Sequence, residues 1–135
     1  MLMKLYVEER IAIAHRLNLP YSSPCKNLHG HTLRVEVEIE QWVEKGEKCD
    51  MLVDVQLIKK VIRRFDHANL NDYLEQPTME NLSQLIARNL VETIRSDEFL
   101  TEERKEHLLS GTIRVRVWES EKAFVEFECC GCDVI

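Results

Sequence analysis

Apolar and polar positions alternate most cleanly at residues 33–40. Leu33, Val35, Val37 and Ile39 are interleaved with Arg34, Glu36, Glu38 and Glu40. Side chains two apart on a strand share a face, so this segment predicts a strand with one buried and one polar face. Residues 3–14 read as an earlier strand, irregular around Glu8-Glu9-Arg10. A polar loop from Asn18 to Asn27, with Pro20 and Pro24, separates the two. Gly46 and Asp50 mark the loop that follows.

The period then changes. Leu57, Ile58, Val61, Ile62 and Phe65 form one stripe at helical spacing behind Asp54, a good N-cap. A second helix follows Pro77, with Thr78 as N-cap and Glu80 in its first turn. Its stripe is Met79, Leu82, Leu85, Ile86, Leu90 and Ile94. A short charged helix, Thr101 to Leu109, is expected to end at Gly111. Two strands close the chain. Ile113, Val115 and Val117 alternate with Arg114 and Arg116, and Ala123, Val125 and Phe127 alternate with Phe124, Glu126 and Glu128. The order ββααββ predicts an α+β fold with both long helices on one face of a four-stranded antiparallel sheet. The other sheet face is charged and meets water or a polar interface. No repeat, low-complexity tract or linker divides the 135 residues, so 1–135 reads as one domain.

Composition narrows the function. Eighteen Lys+Arg against 24 Asp+Glu give a net charge of -6. That balance disfavours a dedicated nucleic-acid binder and leaves small anionic substrates open. The longest apolar run, Ile11 to Ala14, predicts neither a membrane-spanning helix nor a signal-peptide core. Five cysteines, an odd number without a secretory signal, are expected to be reduced thiols in a cytoplasmic protein. Cys129-Cys130-Gly131-Cys132 has the form of half a metal site without its second half, and is read as structural or incidental thiols.

The strongest local chemistry is His29-Gly30-His31 at the entry to the second strand. Two imidazoles at i and i+2 face the same side and can share a metal ion. His15 ends the first strand and reaches the same point if the two strands pair. Three histidines with an open fourth position describe a catalytic zinc site. The spacing alone fits an exposed strand equally well. Cys25, in the loop before His29, is by itself an inert thiol or, beside a cation, an ionisable one. Asp66-His67 reads as an ordinary helix terminus or an oriented acid/base pair. Glu119 reads as a solvated strand end or a bidentate anchor for a heterocycle.

Several stretches together resemble the 6-pyruvoyltetrahydropterin synthase / 6-carboxytetrahydropterin synthase family. They are Ala14-His15-Arg16-Leu17, Cys25-Lys26-Asn27-Leu28-His29-Gly30-His31, Met51-Leu52-Val53-Asp54 and Leu57-Ile58-Lys59. The series continues with Asp66-His67-Ala68-Asn69-Leu70-Asn71-Asp72, Pro77-Thr78-Met79-Glu80-Asn81-Leu82 and Val117-Trp118-Glu119. They occur in the family's order and span nearly the whole chain.

The resemblance implies a tunnelling fold, in which the sheets of three subunits close into a barrel and two trimers stack into a hexamer. It implies a homo-oligomer with no nucleic-acid or membrane partner. It implies Zn2+ on His15, His29 and His31, Cys25 as catalytic thiol, and Asp66 and His67 as proton relay. Glu119 is implied as the pterin anchor, with Thr78 in a contacting segment. The expected substrate is 7,8-dihydroneopterin triphosphate, with Arg16, Lys26 and Lys59 as candidates for its phosphates. Three residues separate Cys25 from His29, which resembles the 6-carboxytetrahydropterin synthase branch that serves queuosine and other 7-deazapurine pathways. The implied reaction releases triphosphate and acetaldehyde and leaves 6-carboxy-5,6,7,8-tetrahydropterin.

Two rivals are 6-pyruvoyltetrahydropterin formation and dihydroneopterin cleavage on the same fold. A third, of another class, is a non-catalytic zinc-stabilised interaction module with the metal closed by a fourth protein ligand. A cupin-type barrel, which also uses His-x-His, fits poorly with two long central helices. Ile11, Ile13 and Val55 depart from the family's usual residues and are read as core changes.

Overall fold

The computed structural model describes residues 1–44 and 51–133, so the loop markers Gly46 and Asp50 lie outside the described residues, as does Cys49. Strands β1 (Leu2–His15) and β2 (His29–Trp42) form the spine. They pair antiparallel from Leu2 opposite Trp42 to His15 opposite His29 with no shift of register. β4 (Thr112–Ser120) pairs with β2, and β5 (Ala123–Cys130) pairs with β4. Helices α1 (Val55–Arg63), α2 (Met79–Ser96) and α3 (Glu102–Leu109) lie between β2 and β4 in the chain.

The alternation predicted at 33–40 is observed. Leu33, Val35, Val37 and Ile39 are buried, with Val7, Ile11 and Ile13 of β1 and Ile113, Val115 and Val117 of β4 beside them. Ile58, Val61 and Ile62 of α1 and Leu82, Ile86, Leu90 and Ile94 of α2 are buried in the same core cluster. Each such side chain contributes about 1.5–3 kcal/mol when fully buried. Ile11 and Ile13 are in that core, and Val55 packs at its margin.

Two caps are as expected: Asp54 accepts from the Gln56 amide at 2.9 Å and Thr78 from Asn81 at 3.1 Å. Thr101, read as the first residue of its helix, is instead the cap and accepts from Arg104 at 3.1 Å.

Three expectations change. β1 is regular through Glu8-Glu9-Arg10. Glu9 lies on the helix-facing side of the strand and reaches Arg63 of α1 at 2.9 Å, so no bulge is needed to turn it outward. The sheet has a fifth member, β3 (Ala68–Asn69), which runs parallel to β1 beside Ile13 and Ala14. Two residues are too few to show a period. Gly111 is required by close approach rather than as a left-handed cap, because a Cβ there would strike the Glu40 carbonyl.

The opposite sheet face is a ladder of ion pairs. Arg114 meets Glu38 and Glu128, each at 2.6 Å, and Glu40 at 3.4 Å. Arg116 meets Glu126 at 2.7 Å and Glu38 at 3.6 Å. Arg34 meets Glu8 at 3.2 Å and Glu36 at 3.5 Å. The strand order is β3-β1-β2-β4-β5, and the sheet does not close on itself within one chain.

Burial alone would raise the Glu38 carboxyl, but Arg114 and Arg116 more than offset this and hold it below its ordinary value of 4.5. The stability it contributes is therefore present above that value and is lost as pH falls below it. Arg114→Ala is expected to lower unfolding stability by about 2 kcal/mol, between the values for exposed and buried pairs. It should also flatten the loss of stability below pH 4.5. Urea unfolding of both proteins across acid pH measures both effects.

Candidate metal centre and active site

The β1–β2 register builds the histidine cluster. His15 stands opposite His29 on the last rung, and His31 stands opposite Ile13 on the helix-facing side. The three rings stand edge to face, with centroids 4.6, 5.2 and 4.7 Å apart. One ring nitrogen of each lies within 4.8 Å of the others.

Two backbone carbonyls set the tautomers. His15 Nδ1 donates to the Pro77 carbonyl and His29 Nδ1 to the Asn27 carbonyl, each at 2.7 Å. Both Nε2 atoms are then lone-pair acceptors in the neutral rings, yet they lie 3.0 Å apart. Two lone pairs at that distance repel unless a cation or proton sits between them. His31 Nε2 is buried without a hydrogen bond, although Glu119 Oε1 is 3.3 Å away.

His15 is only 2% exposed, and this burial depresses its imidazolium below the usual range, partly opposed by the Pro77 carbonyl. A neutral ring is what a metal ligand requires. Three imidazoles, each offering one ring nitrogen, fit a divalent cation with an open fourth position. The outer hydrogen bonds orient the rings as supporting groups do in metal sites.

Cys25 sits in a single 3-10 turn, Pro24–Lys26, capped by Ser23. Its carbonyl accepts from Leu17 N at 2.8 Å, which ties the turn to the chain just after His15. The other side of that segment is held by side-chain amides. Asn71 accepts from Arg16 N at 2.9 Å and donates to Arg16 O at 3.1 Å. Gln76 makes the same pair of bonds with Asn18, each 2.8 Å. Residues 15–18 therefore behave as an extra length of strand, with two side chains replacing a partner backbone.

Asp66 and His67 occupy the outer edge of β1. Asp66 Oδ1 accepts from Ala12 N at 2.9 Å, and His67 N donates to Ala12 O at 2.7 Å. The Ala12 amide, helped by His67, holds the Asp66 carboxyl below its ordinary value. His67 has φ 59°, a left-handed conformation costing roughly 1–2 kcal/mol for a residue with a Cβ. Its Nδ1 lies 3.2 Å from Asp66 Oδ1, and its side chain is 84% exposed.

Comparison with known proteins places the chain. A family model described as 6-pyruvoyl tetrahydropterin synthase matches residues 4–130.

The chain belongs to the 6-pyruvoyl tetrahydropterin synthase family.

A curated relative, the dihydroneopterin monophosphate aldolase of Pyrococcus furiosus, is 30% identical over 103 residues, covering 76% of this chain and 80% of its own. The 6-carboxy-5,6,7,8-tetrahydropterin synthase of Haemophilus influenzae is 26% identical over 147 residues, covering 94% and 99%. The solved Caenorhabditis elegans 6-pyruvoyl tetrahydropterin synthase superposes with a TM-score of 0.69 at 21% identity, covering 96% of each chain. That likeness supports the tunnelling fold of this family member.

The remaining predicted residues lie as follows. Glu119 lines a polar cavity of about 300 Å³ with Arg10, Thr32, Arg34 and Trp118, where the Arg34 guanidinium stacks 4.1 Å from the indole centroid. The Thr78 hydroxyl is used as the α2 cap. Arg16 and Lys26 are exposed, and Lys59 lies part-buried on α1. A larger cleft of about 760 Å³ between α1 and α2 contains none of the predicted site residues, so volume does not locate this centre.

Sequence reasoning missed the holding roles of Asn27, Asn71, Gln76 and Pro77. Asn27, Asn71 and Pro77 were visible inside the family motifs, but amide side chains and backbone carbonyls carry no local signature of what they bind. Asn71→Ala removes both bonds to Arg16 and is expected to cost about 1–2 kcal/mol, read as a lower urea midpoint with an unchanged slope.

Proposed function

We propose that this family member is a zinc-dependent lyase. It converts 7,8-dihydroneopterin triphosphate and water to 6-carboxy-5,6,7,8-tetrahydropterin, triphosphate and acetaldehyde, the water supplying the second carboxylate oxygen. The observation that carries the metal part is the pair of facing Nε2 atoms at 3.0 Å, each on a ring whose other nitrogen is committed to a carbonyl. The substrate part rests on family membership and on the Haemophilus influenzae relative, which aligns over nearly its whole length.

Zinc on His15, His29 and His31 would supply Lewis-acid polarisation of the substrate's side-chain hydroxyls. The chain's own groups do the rest. Cys25, tethered beside His15, serves as the base that moves protons at the side-chain carbons. His67, with Nδ1 directed at Asp66, has Nε2 left to exchange protons with a side-chain oxygen. Glu119 anchors the pterin through adjacent N–H donors, a bidentate arrangement. Thr78 lies in the segment that contacts the ring.

The exposure of His67 supports a homo-oligomer, trimer or hexamer, in which a neighbouring subunit covers that side chain and completes the pocket. Such a barrel would enclose the charged sheet face. A cytoplasmic setting accords with this reading, and among the described residues no helix is long and apolar enough to cross a membrane.

A second reading, cleavage of a dihydroneopterin phosphate, is favoured by the Pyrococcus furiosus aldolase at 30% identity. Mass spectrometry of the products from 7,8-dihydroneopterin triphosphate separates the two. A carboxylated tetrahydropterin with acetaldehyde supports the first. A hydroxymethyl pterin with a phosphorylated two-carbon fragment supports the second. Two substitutions test the roles. His31→Ala is expected to hold one equivalent of zinc fewer than the wild type by elemental analysis, and a zinc content equal to the wild type's would refute the three-histidine centre. Cys25→Ala is expected to keep zinc and to lose at least about a hundredfold in turnover, and unchanged turnover would remove the thiol from the mechanism.

A further inference from the structure

The C-terminal cysteines come together in a way their spacing did not establish. β5 ends at Cys130, and a single 3-10 turn, Gly131–Asp133, follows. Gly131 is buried, and its amide donates to Gly111 O at 3.1 Å. A Cβ at this position would lie 2.8 Å from the Leu109 carbonyl and 2.9 Å from the Leu109 Cα. The turn is therefore pressed onto the end of α3 and needs glycine between its two thiols.

This packing converges several donors. Cys130 Sγ and Cys132 Sγ lie 2.6 Å apart, well inside ordinary non-bonded contact. Asp133 Oδ1 lies 3.8 Å from Cys132 Sγ. Cys130 Sγ is 3.6 Å from the carbonyls of both Leu109 and Ser110 at the C-terminal end of α3, where a helix favours positive charge. Lys105, the nearby cation on α3, is already engaged with the Arg95 carbonyl at 2.8 Å and with Glu102 at 3.4 Å.

We propose that Cys130, Cys132 and Asp133 form a second metal site, separate from the histidine centre, for a thiophilic divalent cation of the zinc or cadmium type. On binding, each thiol gives up its proton to solvent as its sulfur joins the metal, and the two sulfurs swing apart to make room for the ion. Sulfur donors select such cations over magnesium or calcium. The surroundings fit this assignment: the Asp133 carboxylate and the Leu109 and Ser110 carbonyls, all electron-rich oxygens, lie within 3.8 Å of one or other of the two sulfurs. The proposal does not rest on the pterin reading.

The test is cobalt titration of the reduced, metal-free protein under argon, following the thiolate-to-cobalt charge-transfer absorption. The band is expected in the wild type and in His29→Ala/His31→Ala, and should vanish in Cys132→Ser. Asp133→Asn should weaken the thiolate-bound equivalent by about tenfold or more. If the double histidine variant does not fold, Cys25→Ser replaces it, because it removes the thiol nearest the histidines. The band should then persist and be lost on adding Cys132→Ser. A band absent from the wild type, or one surviving Cys130→Ser/Cys132→Ser, overturns the proposal. So does recovery of Cys130 and Cys132 as a disulfide with no cobalt bound.

Discussion

The unbroken antiparallel pairing of β1 with β2 is the constraint on which the rest of the structure depends. It runs from Leu2 opposite Trp42 to His15 opposite His29. A slip of one residue would move every side chain of one strand to the other face. Val7, Ile11 and Ile13 would leave the core, and His15 would turn away from His29 and His31. The apolar face thus holds the register, and the register holds the three imidazoles together. Folding energy and site geometry share one cause here, because the histidines continue the same side of the sheet that the core residues occupy.

The end of that ladder is reinforced from outside the sheet. The Pro77 carbonyl, one residue before the α2 cap Thr78, orients His15. Asn71 and Gln76 extend the pairing of β1 to Arg16 and Asn18, and Leu17 returns a bond to the Cys25 turn. Ala12 is bonded on its free edge by Asp66 and His67. The segment between α1 and α2 therefore serves as a second frame for the metal end of the sheet. It carries the left-handed His67, whose strain is offset by the bonds on either side.

The polar sheet face follows a different logic. Its acidic residues on β2 and basic residues on β4 sit on facing rungs, so Arg114 and Arg116 each bridge carboxylates from both neighbours. Such a network spends little of the hydrophobic surface and keeps this face compatible with water or a polar enclosure. Membership of the 6-pyruvoyl tetrahydropterin synthase family accords with a sheet that one chain leaves open.

Much of this was legible in the chain. The period-two run at 33–40 showed β2, the helical stripes showed α1 and α2, and Asp54 and Thr78 showed their caps. His29-Gly30-His31 placed two imidazoles on one side, because strand geometry alone decides that. His15 as their partner needed the strand pairing, which is a long-range event. Sequence could not show Glu9 meeting Arg63, the two-residue β3, or the close packing that makes Gly111 and Gly131 glycines. Nor could it show that Cys130, Cys132 and Asp133 converge on the end of α3. Local periodicity reports which way a side chain points relative to its own neighbours, and that the sequence determined by itself. Which distant carbonyl, carboxylate or thiol it then meets depends on how the elements pack. Backbone carbonyls such as those of Pro77 and Asn27 have no side-chain identity to read, so the tertiary structure alone decided what they hold.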